Sequence, residues 1–182
     1  NSVNRILLAW TFLVASGSIS ARTPDPERGK KVFFASGGCG CHTDVQNDGP
    51  LMGGGRGIKT PFGIFFGSNI TPHPEEGIGR WNDEDFILAM TLGIAPDGRH
   101  YFPVFPYTSF RLMNKEDLLH LKDYLFSLPP NSRVNTEHDV PFPFNWRSPL
   151  FFWKLLFLEK GSYQPDPSRS KSWNRGAYLS NA

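Results

Sequence analysis

The side chains best suited to chemistry in this 182-residue chain lie in one short stretch. Its two cysteines, Cys39 and Cys41, are separated by one residue and are followed directly by His42. A disulfide between cysteines this close would form a strained small ring. A zinc site needs a fourth ligand, which no nearby His or Cys supplies. The alternatives that remain are a free Cys-x-Cys redox pair, part of another metal site, and covalent attachment of a haem.

Haem of the c type is held by thioether bonds from two cysteines, and the adjacent histidine binds the iron. The usual spacing has two residues between the cysteines, whereas here there is only Gly40. The shorter loop reaches both vinyl groups if Gly40 adopts a backbone conformation closed to other residues; otherwise Cys41 holds the haem alone. We therefore predict one covalently attached haem c, with Cys39, Cys41 and His42 in its site.

The composition excludes several other classes of protein. Lysine and arginine exceed aspartate and glutamate by only two, and no helix carries a basic stripe, so nucleic acid is not an expected partner. The 18 glycines and 16 prolines occur in aromatic-rich sequence, not in low-complexity tracts. This pattern is typical of a loop-rich fold and not of disorder.

The first residues have the pattern of an export signal. Arg5 precedes an apolar run from Ile6 to Ile19, and small residues follow it. The stretch is close to the roughly 20 residues that a bilayer-spanning helix needs. We predict that residues 1–22 form a retained signal anchor, a transmembrane helix. A cleaved peptide is the alternative, and either way the rest of the chain is expected on the periplasmic side of a bacterial inner membrane.

Three helices must carry and cover the cysteine motif. Asp25 followed by Pro26 and Glu27 predicts a helix from about Pro26 to Ala35, which delivers the chain to the cysteines. Residues 82–85 cap a second helix, and residues 114–117 start a third. The remaining signals are Phe86, Ala89 and Met90 on one face of the second helix, Gly93 at its end, Leu118, Leu121, Leu125 and Leu128 facing inward on the third, and Pro129-Pro130 as its stop.

The segments between and after these helices carry weaker signals. Residues 43–81 are predicted to be a long ordered loop, with turns at 61–63 and 71–72 and no strand, so the fold class is all-α with long loops. Residues 131–182 are predicted to be an extended linker or strap. Within it, the apolar run 151–158 is too short to span a membrane and is expected to pack on the globular part. Contact with a partner or with the membrane surface is the alternative.

Two longer-range expectations concern helix packing and repetition. Gly29 and Phe33, four residues apart on the first helix, allow the third helix to cross closely while Tyr124 packs into the contact. Residues 174–179 are similar in spacing and chemistry to residues 27–32. A second copy of the first unit is therefore predicted to begin near Trp173.

The sequence resembles the cytochrome c domains that serve as electron-accepting subunits of bacterial membrane-bound alcohol, aldehyde and sugar-acid dehydrogenases, and related di-haem membrane cytochromes. The resemblance covers residues 25–182. Its specific stretches are residues 37–43, 60–63, 69–72, 77–79 with Trp81, 97–100, 103–110, 117–118, 165–167 and 173–179.

The resemblance implies a class I cytochrome c fold over residues 25–130, with histidine and methionine as axial ligands of the iron. It also implies electron transfer and not bond-making catalysis. The expected partners are the other subunits of a membrane redox complex, the membrane itself through the N-terminal helix, and a respiratory or photosynthetic electron acceptor.

Three methionines are candidates for the sixth iron ligand. Met90 lies on the apolar face of the second helix, where methionine usually fills a core, and Met52 comes early for a chain that must reach the opposite face. Met113 follows the 103–110 loop, which in related chains passes over the distal side, and we assign it. Other residues considered are His73, His100, His120 and His138 as alternative ligands, and Trp81, Arg99 and Tyr107 as haem-pocket or propionate partners.

The leading hypothesis is therefore a membrane-anchored periplasmic electron-transfer subunit that is not itself an enzyme. A haem enzyme with an exchangeable iron site and a structural subunit with a degenerate haem motif are the two alternatives.

Overall fold

The structure is a computed structural model that describes residues 22–158 and 161–181. The predicted membrane anchor, residues 1–22, lies outside the described residues apart from Arg22. Within the described ranges, no helix is both long enough and apolar enough to cross a bilayer. The elements, in chain order, are α1 (Pro26–Ala35), β1 (Gly57–Thr60), β2 (Gly63–Phe66), α2 (Asp83–Leu92), α3 (Tyr107–Phe110), α4 (Lys115–Phe126), α5 (Ser148–Phe157) and α6 (Lys171–Asn181).

The predicted helix starts are confirmed, because each depends on a local side chain that caps the backbone. The Asp25 carboxylate accepts a hydrogen bond from the Arg28 amide at 2.9 Å at the start of α1. Asn82 and Asp85 form a reciprocal capping box on α2. The Asn114 side chain accepts from the amide three residues later at 2.7 Å to begin α4. Helix α4 ends at Phe126, a few residues before the predicted proline stop.

The predicted close crossing of the first and third predicted helices is confirmed as the contact between α1 and α4. A side chain at Gly29 would overlap the main-chain carbonyl of His120, so only glycine permits this approach. The rings of Phe33 and Tyr124 pack beside it, with centroids 5.0 Å apart. The crossing of α1 and α4 is thus the frame on which the loops are mounted.

The main core lies between α1, α2, α4 and the loops. All three methionines belong to it, and the half-buried Cys39 packs against it. Its buried members are Val32, Phe33, Met52, Ile78, Phe86, Met90, Met113, Leu118, Leu121 and Leu125.

The prediction of an all-α chain is wrong in one respect, because the loop 43–81 contains a β-hairpin. Strands β1 and β2 pair antiparallel, with Gly57 opposite Phe66 and Thr60 opposite Gly63. The turn predicted at residues 61–63 joins them, and Gly63 has a left-handed backbone with φ 127°. Each strand has only four residues and begins with glycine, so it carries too little alternation to be recognised in the sequence. The class is mostly helical with a two-stranded sheet.

The prediction of an extended strap is wrong where α5 and α6 form. The apolar run that was expected to pack on the globular part lies in α5, and most of its large side chains are exposed. Helix α6 coincides with the predicted start of a second unit, and its side chains contact the N-terminal end of α4. There the Asn114 amide donates to the Tyr178 hydroxyl at 3.2 Å, and Arg175 pairs with Asp117 at 3.3 Å.

We predict that Gly29→Ala lowers the free energy of unfolding by about 1–3 kcal/mol, because the added methyl forces α1 and α4 apart. The measurement is urea unfolding followed by far-ultraviolet circular dichroism. Gly176→Ala on α6 is the matched control, since a Cβ there meets nothing within 4 Å. It should be neutral or add up to about 1 kcal/mol through helix propensity. Equal effects of the two substitutions would contradict the close crossing.

Candidate functional site

The cysteine motif follows a sharp reversal of the chain after α1. Gly37, Gly38 and Cys39 have consecutive left-handed backbones, with φ values of 87°, 72° and 48°. One turn of 3-10 helix, Gly40–His42, then carries the rest of the motif. The special conformation expected at Gly40 is therefore found at Cys39 instead. The two glycines before the motif make the reversal, which leaves the single spacer residue in an ordinary helical turn.

The two cysteines have different surroundings. Cys39 is half-buried against the core, Cys41 is exposed, and neither forms a disulfide. Burial, and secondarily the charge of Cys41, raises the pKa of Cys39 to about 11. Such a thiol stays protonated at neutral pH, unlike the thiolate of a reactive redox cysteine. Within the described residues, no three of the His, Cys, Asp and Glu side chains come together in a way that could hold a bare metal ion.

His42 is held in the orientation and tautomer of a metal ligand. Its Nδ1 lies 2.7 Å from the carbonyl oxygen of Ser68, and because a carbonyl only accepts, Nδ1 carries the proton and donates it. Burial lowers the pKa of His42, which favours the neutral ring. The lone pair is then on Nε2, the nitrogen that is free to bind iron. A hydrogen bond of this kind fixes the ring of most metal-binding histidines.

Neighbouring loops hold the backbone of the motif from outside. The Arg56 guanidinium donates to the Gly40 carbonyl at 2.9 Å. A side chain at Gly67 would overlap the Cys41 carbonyl, so glycine lets the chain after β2 run directly against the motif. The carbonyl of Ser68, the next residue, is thereby brought to the histidine.

A buried polar network fixes the loop that carries the Ser68 carbonyl. Asn69 and Thr71 are 2% and 0% exposed. The Asn69 side-chain oxygen accepts from the Thr71 amide and hydroxyl at 3.0 and 2.7 Å. Its NH2 group donates to the carbonyls of Asn131 and Arg133 at 2.7 and 3.1 Å. The start of the 131–182 segment therefore locks the loop in place.

Sequence reasoning missed this role of Asn69. In the sequence, residues 69–72 were recognised only as one of the stretches that resemble the cytochrome c family. The available signal was a pair of hydrogen-bonding side chains two residues apart directly before Pro72, which is typical of a side chain that bonds the backbone of its own turn. Its partners at residues 131–133 are some 60 positions away, and no local pattern indicates them.

The backbone of Met52 is hydrogen-bonded to the two segments that carry and support His42. Its amide donates to the hydroxyl of Thr43, the residue after His42, at 3.0 Å. Its carbonyl accepts from the Ile70 amide at 2.9 Å, next to the loop that bonds the histidine. Met52 is thus deeply buried in the wall that supports His42.

Met90 and Met113 occupy other parts of the core. Met90 lies on the buried face of α2, as predicted. Met113 follows α3 and directly precedes the cap of α4, and it is 6% exposed. The aromatic side chains of Phe105 and Phe110, from the loop and helix before it, pack against the same cluster.

The four histidines considered as alternative ligands have other contacts. His73 accepts hydrogen bonds from the amides of residues 75 and 76, and His138 accepts one from the amide of residue 66. His120 lies 3.5 Å from Asp123 on α4, and the ring of His100 contacts that of Phe151.

The donor set fits a c-type haem. It comprises two thiols in sequence with an imidazole whose Nε2 is free, and thioether sulfurs in the core that the motif touches. The Tyr107 hydroxyl is also fully buried without a hydrogen-bond partner. Burial raises the pKa of Tyr107 to about 12, so this group remains a donor that a carboxylate could accept from.

Comparison with known proteins supports the same assignment. No family model matches the chain. It is 49% identical over 153 residues to a subunit of the nicotinate dehydrogenase of Pseudomonas putida, covering 84% of this chain and 13% of that protein. It is 37% identical to a diheme cytochrome c-type protein of Cereibacter sphaeroides, over 82% of this chain and 53% of that one. It is 34% identical to the fructose dehydrogenase cytochrome subunit of Gluconobacter japonicus, over 96% and 37%.

The helical frame and the cysteine-histidine site define a c-type cytochrome domain. This chain belongs to the cytochrome c subunits of bacterial dehydrogenases, so the resemblance seen in its sequence is confirmed. The predicted role in electron transfer agrees with these relatives, several of which are named as cytochrome subunits of dehydrogenases. The chain spans between about an eighth and about half of the length of these relatives.

We predict that Asn69→Ala lowers the free energy of unfolding by about 2–4 kcal/mol, because the buried amide and hydroxyl of Thr71 lose their acceptor and the partly buried carbonyls of Asn131 and Arg133 lose a donor. Denaturant unfolding measures the change. Asn135→Ala is the control. The exposed side chain of Asn135 also belongs to the network, because its oxygen accepts a hydrogen bond from the backbone N–H of Asn69 at 2.7 Å. Water can replace it, so its loss should cost about 1 kcal/mol or less. A small effect at Asn69 would contradict its place at the centre of the network.

Proposed function

We propose that this chain binds one haem c covalently through Cys39 and Cys41, with His42 and Met113 as the axial ligands, and that it passes single electrons within a dehydrogenase complex. The observation that carries this proposal is the His42 ring. His42 directly follows the two cysteines, and the hydrogen bond from its Nδ1 to the Ser68 carbonyl fixes the ring and leaves Nε2 free. The bound haem supplies an iron that alternates between its ferric and ferrous states.

The polypeptide's own contribution is to hold ligands and exclude water. The hydrogen bond to Ser68 keeps the imidazole in one orientation, and the core of aliphatic, aromatic and thioether side chains provides a low-dielectric setting that tunes the reduction potential. Tyr107 supplies a buried donor for a propionate.

Met113 is preferred to Met52 because of the backbone surroundings of the two residues. The second ligand of a bound iron would have to come from a segment other than the one that supports His42. Met52 is bound through its backbone to Thr43 and Ile70, in the wall that supports His42. Met113 reaches the same core from the end of α3, and a thioether there would raise the reduction potential, as suits an electron carrier.

Attachment through both cysteines is proposed despite the single spacer residue. The left-handed backbone at Cys39 takes up the change of direction, and its side chain lies against the core while Cys41 follows on the 3-10 turn. Attachment through Cys41 alone is the alternative, in which Cys39 remains a protonated thiol.

The assembly is inferred from the names of the relatives. As a subunit of a nicotinate, fructose or alcohol dehydrogenase type of complex, this chain would take electrons from a dehydrogenase subunit and deliver them to a respiratory or photosynthetic acceptor. We place it on the periplasmic side of the inner membrane, anchored by residues 1–22. Residues 25–130 would form the haem domain, and residues 131–182 would lead into a second one that starts with α6.

The test is the binding of carbon monoxide to the reduced protein at neutral pH, followed by optical spectroscopy. A carrier with both axial positions filled should not bind it rapidly. Met113→Leu removes the proposed ligand at nearly constant volume, so this variant should bind carbon monoxide at once. Its reduction potential should fall by on the order of 0.1 V, because a thioether ligand raises it.

Met52→Leu and Met90→Leu are the matched controls, since both side chains are equally buried in the same core. Each should keep the wild-type spectrum. If Met52→Leu or Met90→Leu opened the iron to carbon monoxide instead, the assignment of Met113 would be wrong. Rapid binding by the wild-type protein would instead support a haem enzyme with an exchangeable iron site.

A further inference from the structure

Helix α5 presents a wholly apolar surface to the outside. Its residues 151–157 include six large hydrophobic side chains, and all of them are exposed, with Phe152 at 62% and Leu156 at 73%. A single exposed leucine is ordinary on a protein surface, but six large exposed hydrophobic side chains on one short helix mark an interaction surface. The outward residues of the helix are Phe151, Phe152, Trp153, Leu155, Leu156 and Phe157.

The one charged residue of α5 is turned towards the protein. Lys154 is only 7% exposed, and its ammonium group donates to the Gly93 carbonyl at 2.7 Å, at the C-terminal end of α2. It also lies over the Tyr107 ring, 4.5 Å from the centroid. The charged side chain of the helix therefore contacts the protein, and its hydrophobic side chains face outward. A surface helix of a globular protein normally has the opposite arrangement, with apolar residues facing the core and charged residues facing solvent.

The other basic residue of this region is also turned inward. Arg147, just before α5, stacks on the Phe102 ring at 4.0 Å and donates to the His100 carbonyl at 2.7 Å. Between residues 141 and 158 there is no aspartate or glutamate. The outer surface thus carries no acidic group, and the charge of the segment is positive.

The apolar surface extends into the chain before α5. Phe142, Phe144 and Trp146 are all exposed, and the Phe144 ring contacts that of Phe62 at the tip of the hairpin, with centroids 5.0 Å apart. We call this set, together with the outward face of α5, the aromatic ridge.

We propose that the aromatic ridge inserts into the surface of a lipid bilayer. A protein partner normally meets about one hydrogen-bonding group per 100–200 Å² of interface, but the outward side chains of residues 151–157 offer none apart from the indole of Trp153. Acyl chains require none. The absence of aspartate and glutamate from residues 141–158 also suits the negative headgroups of a bacterial membrane, which repel carboxylates.

The dimensions specify how the ridge would bind. A helix of ten residues is about 15 Å long, half the hydrocarbon thickness of a bilayer, so α5 would lie in the plane of the interface. Trp146 before the helix and Trp153 within it are the residue type favoured at the boundary between acyl chains and headgroups. This contact is separate from any anchor formed by residues 1–22, and it would hold the domain close to the membrane surface.

The experiment uses the haem-loaded chain of 182 residues on vesicles of phosphatidylcholine and phosphatidylglycerol that contain a phospholipid with a photoreactive diazirine in its acyl chain. After illumination, labelled positions are mapped by peptide mass spectrometry. We expect labels on the outward residues of α5, including Phe152, Leu155 and Leu156, in addition to any on residues 1–22. Helix α6 should remain unlabelled.

The substitutions Leu155→Asp and Leu156→Asp test the surface directly, because both side chains are exposed and their change leaves the core intact. Each should reduce labelling of α5 by about tenfold or more, since burial of one leucine is worth at least that factor in partitioning. Leu179→Asp, an exposed leucine on α6, is the matched control and should change nothing. The absorption spectrum of the haem checks that all variants are folded.

Labels confined to residues 1–22 would overturn the proposal even if the protein remained membrane-bound. The proposal would also be overturned if the photoreactive lipid labelled α5 to the same extent in the wild-type protein and in the aspartate variants. Self-association of the chain through α5, seen as a dimer by light scattering that both substitutions abolish while vesicles leave α5 unlabelled, would show a protein interface instead.

Discussion

The hydrogen bond between His42 Nδ1 and the Ser68 carbonyl is the constraint on which the site depends. It sets the ring orientation and leaves Nε2 for the iron. It also explains features that are otherwise unrelated. Gly67 lacks a side chain because the chain must pass directly against the motif, and Asn69 is buried because the loop beyond Ser68 has to be held rigidly.

The same requirement links the start of the 131–182 segment to the haem motif. Its first carbonyls accept hydrogen bonds from the side-chain amide of Asn69, so the chain that leaves α4 closes the wall behind the histidine before it goes on to α5. Helix α5 is then fixed to the end of α2 by Lys154. One polypeptide path therefore builds the site and presents the aromatic ridge, which would set the distance of the haem domain from a membrane.

Local chemistry in the sequence predicted the helices well. Caps at Asp25, Asn82 and Asn114 act within three residues, and Gly29 predicted the helix crossing because close approach needs a missing side chain. The hairpin was missed because four-residue strands have almost no periodicity. Contacts between distant segments, such as Asn69 with residues 131–133, leave no local pattern.

The apolar helix α5 was misjudged for a different physical reason. An apolar run is usually buried by its own domain, so packing on the globular part was the leading expectation for residues 151–158, with contact to a partner or the membrane as the alternative. The orientation of the helix is decided instead by Lys154, which finds the carbonyl at the end of α2, and a single lysine within an apolar run does not reveal which way it points. At the motif, the sequence indicated the ligand histidine but not that Cys39 would take the left-handed conformation.

The central claim is that the segment from Cys39 to His42 binds one haem covalently. The most direct measurement is the intact mass of the purified protein under denaturing conditions, combined with its pyridine haemochrome spectrum. The account predicts the polypeptide mass plus one haem, and a spectrum typical of two thioether bonds. A mass equal to the polypeptide alone would contradict it, and a spectrum typical of one thioether would restrict the attachment to a single cysteine.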